Sequence, residues 1–273
     1  MWGRRRRRSA LPDAWRDVTS AAVAHWAVLD ESERARLGEL MAQVMDRRWE
    51  AANGFALTDE IRVVIAAQAS LLILGLDIDC YRDVTAIIVH PTTVTLRGER
   101  PGPAPGVVTD APLPIIGQAQ ARRGPVIIAW DAARVGARHP ERGYDVVLHE
   151  FAHKLDMLDG LVDGTPPLPD RAARQRWIDV CTAELELLRT GEGDGLLRGY
   201  AALNPGEFFA VATEVFFVLP SEMEAQKPVL YDVLRAFYRQ DPAARTRRGP
   251  SGRGMWGAGP GSHGRKPSSG GLG

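Results

Sequence analysis

The sequence HEFAH at 149–153 places two histidines four residues apart, with a glutamate beside the first. Residues four apart on an α-helix lie one turn apart on the same face, so His149 and His153 can direct two imidazoles at one metal ion. Glu150 lies about 100° around the helix from His149, close enough to reach a water on that metal without being a ligand. This spacing is typical of zinc hydrolases, in which the glutamate is the general base.

The residues around the motif favour the helix on which this chemistry depends. Apolar residues recur at spacings of three and four, and they lie off the face that carries the two histidines. These residues are Leu148, Phe151, Leu155 and Leu158. Asp145 is a suitable N-terminal cap and Gly160 a suitable C-terminal stop. We therefore expect a helix that buries its apolar stripe and leaves the histidines free to bind a metal.

A catalytic zinc usually has three protein ligands and keeps one position for water, so a third ligand is needed. The metzincin continuation HExxHxxGxxH requires glycine at 156 and histidine at 159. Asp156 and Asp159 stand there instead, which excludes that class. Asp159 or Asp163 could still be a ligand, although no predicted helix would hold either of them rigidly.

Glu207 is a further candidate for the third ligand. Asn204 is a strong helix N-cap and Pro205 a favoured first helical residue, so Glu207 falls in the first turn of a very apolar helix. A capping-box glutamate that reaches back to the Asn204 backbone is the alternative reading. Glu214 is the rival ligand on the same face. The two glutamates are about 10.5 Å apart along the axis, so both cannot bind one zinc ion.

Composition and charge narrow the class of protein. The 273 residues have a formal net charge of zero, and 45% of them are hydrophobic and 25% charged, as in ordinary globular proteins. Five arginines at 4–8 and six basic residues from Arg245 onward leave the body between them with a net charge of −11. An acidic body argues against a nucleic-acid-binding core, and we expect the basic ends to be solvated tails.

Cysteine usage and hydropathy predict a cytoplasmic protein that does not enter a membrane. Cys80 and Cys181 are far apart and form no disulfide framework. The arginine run is not followed by the apolar segment of a secretory signal. The most apolar stretch, 63–76, contains Gln68 and is too short to span a bilayer.

Hydrophobic periodicity predicts an α+β fold that is mostly helical, with a small mixed sheet before the motif helix. The expected elements are helices over 30–50 and 61–74, strands over 86–90, 92–96 and 125–130, the motif helix, and helices over 174–188, 205–219 and 231–239. Thr58 should cap the second helix. Residues 1–12 and 244–273 are predicted to be disordered, which leaves one domain over 13–243.

Two segments of the chain, HEFAHKLDMLDG (149–160) and NPGEFFAV (204–211), together with Tyr200, closely resemble the MtfA (Mlc titration factor A) family of glucose-regulated metallopeptidases. The resemblance extends over roughly residues 15–240 and includes LTDEIRVVIAAQASLLIL at 57–74. Members of that family are zincins with a glutamate as third ligand, related in site layout to the catalytic domain of anthrax lethal factor. The chain departs from the family pattern at Gln118 and Gln120, where glutamate and tryptophan are expected.

The resemblance implies a zincin-like, aminopeptidase-like enzyme with one Zn²⁺ per chain. It implies His149, His153 and Glu207 as ligands, Glu150 as the general base that acts on a zinc-activated water, and Tyr200 as the phenol that faces the substrate carbonyl. An ordinary half-buried tyrosine is the alternative for Tyr200. Asp156, near the histidine face, is predicted either to orient a ligating histidine or to be a solvated helix-face residue.

The expected partner is a peptide substrate, and the strand at 126–130 is predicted to line the cleft and pair with an extended peptide. A second function follows from the resemblance, because the family's namesake sequesters the glucose repressor Mlc. The chain would then be a regulatory binding protein whose partner is a transcriptional repressor, with peptidase activity secondary. We expect the chain to be a monomer.

Overall fold

The computed structural model describes residues 11–96, 100–101, 108–109, 113–115, 117–118, 123–193 and 195–250. Its helices are α1 Asp13–Ala22, α2 Glu31–Met45, α3 Asp59–Leu72, α4 Trp130–Arg138, α5 Val146–Asp156, α6 Arg171–Thr190, α7 Pro205–Val218, α8 Pro220–Gln226, α9 Pro228–Tyr238 and α10 Pro242–Arg248. Its strands are β1 Arg48–Ala51, β2 Val84–His90, β3 Val94–Leu96, β4 Arg100–Pro101, β5 Val108–Thr109, β6 Leu113–Ile115, β7 Gly117–Gln118 and β8 Gly124–Ala129. The described residues are thus mostly helical, with the strands before α5, which confirms the predicted fold class.

The main sheet has the strand order β1-β2-β8-β7. The first three strands are parallel, with Trp49 opposite Ile87 and Ile87 opposite Val126, and β7 runs antiparallel to β8. The predicted mixed sheet is therefore present. The predicted strand at 92–96 lies outside it, because β3 pairs with β6 in a separate two-stranded sheet.

The prediction that the strand at 126–130 lies at the sheet edge and can pair there with a peptide is wrong. Within the described residues β8 is an inner strand, since Gly117 of β7 pairs with Ile128 and Gln118 with Ile127. The strand also ends at Ala129, because Trp130 begins α4. The sheet edge on this side therefore belongs to β7, a two-residue strand too short to show any hydrophobic alternation. Gln120 lies outside the described residues.

The motif helix α5 forms as expected. Asp145 caps it, because its Oδ1 accepts the backbone N–H groups of Val147 at 2.9 Å and Leu148 at 3.1 Å. The helix continues as a 3₁₀ turn, Met157–Asp159, and stops at Gly160, whose φ of +95° favours glycine. The predicted apolar stripe of α5 is buried throughout.

The stripe of α5 packs against α3 and α7, the two most buried helices. α3 is capped by the Thr58 hydroxyl, as predicted, and holds the most apolar stretch of the sequence. None of the described helices is both long and apolar enough to cross a membrane. These packed helices provide the rigid base on which the histidines of α5 and the first turn of α7 meet.

The two segments predicted to be disordered, 1–12 and 244–273, both extend too far into the folded part of the chain. Leu11 is buried against α2, so closely that a Cβ on Gly38 would lie 2.9 Å from the Leu11 Cβ. At the other end, α10 runs to Arg248, and Arg245 is buried and donates from Nε to Glu33 at 2.7 Å. Composition gave no sign of this helix, because its anchor is an ion pair with a residue far away in sequence. Residues 1–10 and 251–273 lie outside the described residues.

Candidate metal centre

Three side-chain atoms from α5 and α7 converge on one point. The Nε2 atoms of His149 and His153 are 3.2 Å apart. A carboxylate oxygen of Glu207, Oε2, lies 3.2 Å from the first of these nitrogens and 3.5 Å from the second. These three residues form a group of possible metal ligands whose ligand atoms lie within 4.8 Å of one another.

The spacing of these atoms fits a tetrahedral zinc ion. Ligand nitrogens at about 2.0–2.1 Å from Zn²⁺ in tetrahedral geometry are about 3.3 Å apart. The observed separations of 3.2, 3.2 and 3.5 Å match that value. Two imidazoles and one carboxylate are also a donor set that zinc accepts, and a fourth position is left for water or substrate.

The start of α7 places Glu207 at this point. The Asn204 side chain caps the helix by accepting the Glu207 N–H at 2.9 Å, and Pro205 is the first helical residue. Gly164 holds the same turn from the other side, since its φ is +72° and a Cβ there would lie 2.3 Å from the Pro205 carbonyl oxygen. The cap thus uses the backbone N–H of Glu207. The Glu207 carboxylate faces the histidines and does not reach back to the Asn204 backbone, as it would in a capping box.

Glu214 is not at the ligand position; it binds the far side of His149. Its Oε1 lies 2.8 Å from His149 Nδ1, and its Oε2 accepts the Asp145 N–H at 2.6 Å. Because a carboxylate only accepts, Nδ1 carries the hydrogen in this contact, and Nε2 is the nitrogen that faces the metal position. A charged residue in the middle of an apolar helix was the sequence signal that Glu214 needed a buried partner.

The neighbouring histidines keep Glu207 ionised, in the state that can bind a cation, although the residue is partly buried. Burial raises the pKa of Glu207, but the adjacent His149 and His153 outweigh it and hold that pKa well below its usual range. Burial lowers the pKa of His149, whereas Glu207 and Glu214 raise it, to a net value of about 10 among the protein groups alone. A metal ion bound at this position would therefore have to replace a proton on His149.

Glu150 follows His149 on α5, interacts electrostatically with both histidines and with Glu207, and keeps one oxygen free. The residue is buried, and its Oε2 has no hydrogen-bond partner within the described part of the chain. Burial raises the pKa of Glu150, while the charges of His149 and His153 lower it. A buried carboxylate oxygen without a partner is costly, and its retention here fits an acceptor for a proton from a bound molecule.

Tyr200 lies close to the centre, in the 3₁₀ turn Gly199–Ala202 that precedes α7. The residue is 43% exposed, and its ring centroid is 6.1 Å from that of His149. Burial raises the pKa of Tyr200 to about 12, with Glu207 and Glu150 as further causes. The phenol is therefore protonated at neutral pH and can donate a hydrogen bond.

The other aspartates near the motif are not part of this group of possible ligands. Asp159 and Asp163 accept the backbone N–H groups of Leu161 and Thr165, each at 3.0 Å, and so shape the loop after α5. Asp156 is fully buried beside the Gly164 backbone, and burial raises its pKa to about 6. It is therefore not a solvated helix-face residue, and its predicted role in orienting a ligating histidine stays a prediction; for His149, Glu214 makes that contact.

Comparison with known proteins agrees with this geometry. Residues 1–239 match the family described as glucose-regulated metallo-peptidase M90. An uncharacterized Synechocystis protein, slr2042, is 34% identical over 236 residues, which cover 85% of this chain and 86% of that protein. Mlc titration factor A of Serratia proteamaculans is 31% identical over 240 residues (86% and 89%), and that of Edwardsiella ictaluri is 31% identical over 251 residues (89% and 94%). The predicted resemblance and the zincin-like α+β fold are thus confirmed, and the chain belongs to the family of glucose-regulated metallopeptidases.

Proposed function

We propose that the chain is a zinc-dependent peptidase of the aminopeptidase type. The observation that carries this proposal is the convergence of His149, His153 and Glu207 at separations suited to zinc. Glu150, the residue after His149, keeps a buried oxygen without a hydrogen-bond partner within the described part of the chain. Family membership supports the metallopeptidase activity itself. Zinc as the metal, the roles of the individual residues and the preference for peptide N-termini are our proposals.

The three ligands would hold one Zn²⁺ per chain, which when bound lowers the pKa of a coordinated water to about 7 and polarises the substrate carbonyl. Glu214 would orient His149 by accepting its Nδ1–H, so that Nε2 stays free to bind. Glu150 would accept the proton of the attacking water on its free oxygen and pass it to the leaving amine.

Tyr200 would stabilise the transition state of the same reaction. Its phenol is protonated at neutral pH, its ring lies 6.1 Å from that of His149, and the residue is 43% exposed, so a substrate carbonyl would be able to reach it. A hydrogen bond from the phenol to the developing oxyanion would complement the positive charge of the metal site.

The variant Glu150→Gln tests the enzymatic proposal. It should abolish peptide hydrolysis while zinc content, measured by atomic absorption on the purified protein, stays near one per chain, because Glu150 is not a ligand. Glu186→Gln, an exposed residue on α6, is the matched control and should behave as the wild type. Undiminished turnover in Glu150→Gln would refute the mechanism.

The preference for N-termini needs its own test. An aminopeptidase requires a free α-amino group, so N-acetylation of a short peptide should stop its hydrolysis. Mass spectrometry of the products would show removal of single residues from the N-terminus. Equal cleavage of free and acetylated peptides would show that the α-amino group is not required, which would refute the aminopeptidase preference.

The second proposed function is binding of a transcriptional repressor. Two relatives at 31% identity are named Mlc titration factor A, and this name motivates the proposal. The test uses Glu150→Gln as an uncleaving binder and the purified Mlc-type repressor of the same cell. Isothermal titration calorimetry should give a saturable binding curve; no heat at micromolar concentrations would refute this function.

We further propose that the protein acts as a monomer in the cytoplasm. The free cysteines Cys80 and Cys181 agree with a reducing compartment. Light scattering on the purified chain would reveal a dimer, and fractionation of native cells would reveal export; either result would overturn the corresponding part of the proposal.

A further inference from the structure

The buried carboxylate of Glu214 has a third partner, Arg198, that the proposed mechanism does not use. The Glu214 side chain is only 2% exposed, and Arg198 Nη2 donates to the same oxygen, Oε1, that accepts from His149 Nδ1. The Arg198 side chain is 39% exposed, so it reaches inward from the surface to this atom. One oxygen thus joins a surface arginine to a candidate metal ligand.

Arg198 also begins the segment that carries Tyr200. Its carbonyl oxygen accepts the Ala201 N–H at 2.9 Å, which closes the first bond of the Gly199–Ala202 turn. The chain reaches this point through a glycine-rich stretch, in which Gly191 and Gly195 have positive φ. Few side chains in this stretch can hold the chain in place. The Arg198 side chain, at the start of the turn, is therefore among the first polar groups that can fix the position of the turn.

Tyr200 is 43% exposed, and its phenol forms a side-chain hydrogen bond with Glu207. The turn itself is fixed by the burial of Leu197 and Ala201 and, at its far end, by Arg189, whose Nε donates to the Ala202 carbonyl at 3.1 Å. Burial of apolar groups keeps the turn folded, and the bond from Arg198 to Glu214 joins the start of the turn to the carboxylate that contacts His149.

We propose that Arg198 is a positioning residue that holds the Tyr200 turn and the His149 ring in one arrangement through Glu214. The inference rests on the proposed function, since it assigns the geometry of the same centre. Charge-assisted bonds of this kind are directional, and arginine can present two N–H groups in a plane where lysine presents a single ammonium. Arg198 thus acts on the metal and on the phenol without touching either.

The first arm of the test needs no enzymatic activity. Arg198→Ala, Arg198→Lys and the matched control Arg176→Ala are compared, since Arg176 is an exposed arginine that pairs with Asp232 away from the centre. Zinc affinity is measured by competition with a chelating dye, and amide hydrogen exchange is followed in residues 199–203. Because Leu197 and Ala201 stay buried, the Arg198 variants should fold.

Arg198→Ala should weaken zinc binding by about tenfold, the lower end of what loss of an orienting residue costs. Exchange of the Ala201 and Leu203 amides should become several-fold faster because the turn is less firmly held. Arg198→Lys should recover part of both effects, and Arg176→Ala should match the wild type. Wild-type zinc affinity or wild-type exchange in Arg198→Ala would overturn the proposal.

The second arm is a double-mutant cycle with Tyr200→Phe on a peptide substrate. Loss of an oxyanion donor costs on the order of 100-fold in kcat. In the Arg198→Ala background the same change should cost only a few-fold, because the phenol is already displaced, and KM should change little. Fully additive effects would overturn the link to Tyr200. If the wild type binds zinc but cleaves no peptide, the proposed function fails, while zinc affinity and exchange still decide the role of Arg198.

Discussion

Replacing Glu207 should mainly impair metal binding, whereas replacing Glu214 should mainly impair folding. Glu207→Ala removes a candidate ligand oxygen from a partly exposed side chain in the first turn of α7. Zinc should be lost, whereas the free energy of unfolding of the zinc-free protein should fall by about 1 kcal/mol, the scale of an acidic residue at a helix N-terminus.

Glu214→Ala removes a buried acceptor instead. The N–H of Asp145, itself buried, loses its partner at a cost of about 1–3 kcal/mol, and the bond to His149 Nδ1 is lost as well. Arg198 can turn to solvent, so the full cost of a broken buried ion pair does not apply. We expect a loss of about 2–4 kcal/mol, with zinc binding weakened about 10- to 100-fold but not abolished.

Urea unfolding of the zinc-free proteins and zinc titration with a chelating dye measure the two quantities separately. Glu186→Gln is a surface control for both assays. Loss of zinc in Glu214→Ala, together with retained zinc in Glu207→Ala, would show that the third ligand is misassigned. Equal losses of stability would refute the difference in burial on which the estimate rests.

Three further predictions concern the support of the centre. Gly164→Ala should destabilise the fold by more than 1 kcal/mol in thermal unfolding and weaken zinc binding, because its Cβ would collide with the Pro205 carbonyl; a neutral result would refute this contact. Deletion of residues 244–273 should lower the free energy of unfolding by about 2–3 kcal/mol, since it removes buried Arg245 and its bond to Glu33, whereas deletion from 251 should not. Burial, with Arg245 as a further cause, lowers the pKa of His25. The unfolded chain therefore binds more protons than the folded one, and the free energy of unfolding should fall as the pH drops below about 6.5. Urea unfolding of His25→Gln should show a weaker pH dependence over that range.

The part of the centre that is encoded locally could be predicted from the sequence. Helical spacing alone brings His149 and His153 to one face, and the Asn204 cap sets the start of α7. Contacts between distant segments could not be predicted this way. The bonds from Glu214 to His149 and to Arg198 arise only when α5, α7 and the turn before α7 pack together, and periodicity carries no information about them.

The same limit explains the errors at the ends and at the sheet edge. Arg245 appeared to be one of several tail arginines, because its partner Glu33 lies at the other end of the chain. The edge strand β7 has two residues, too few for a hydrophobic pattern to appear. The sequence therefore predicts β8 as the edge strand, although it is an inner strand within the described residues. In each of these cases the structure is determined by tertiary packing and not by local composition.

The candidate ligands come from two helices, α5 and α7, that are joined by a long connection and meet only in the folded state. A metal bound there would act as a cross-link, and its binding free energy would add to the stability of the native chain. At free zinc about 1,000 times the dissociation constant, this linkage amounts to about 4 kcal/mol. Zinc supply in the cell would then set not only activity but also how long the protein resists proteolysis.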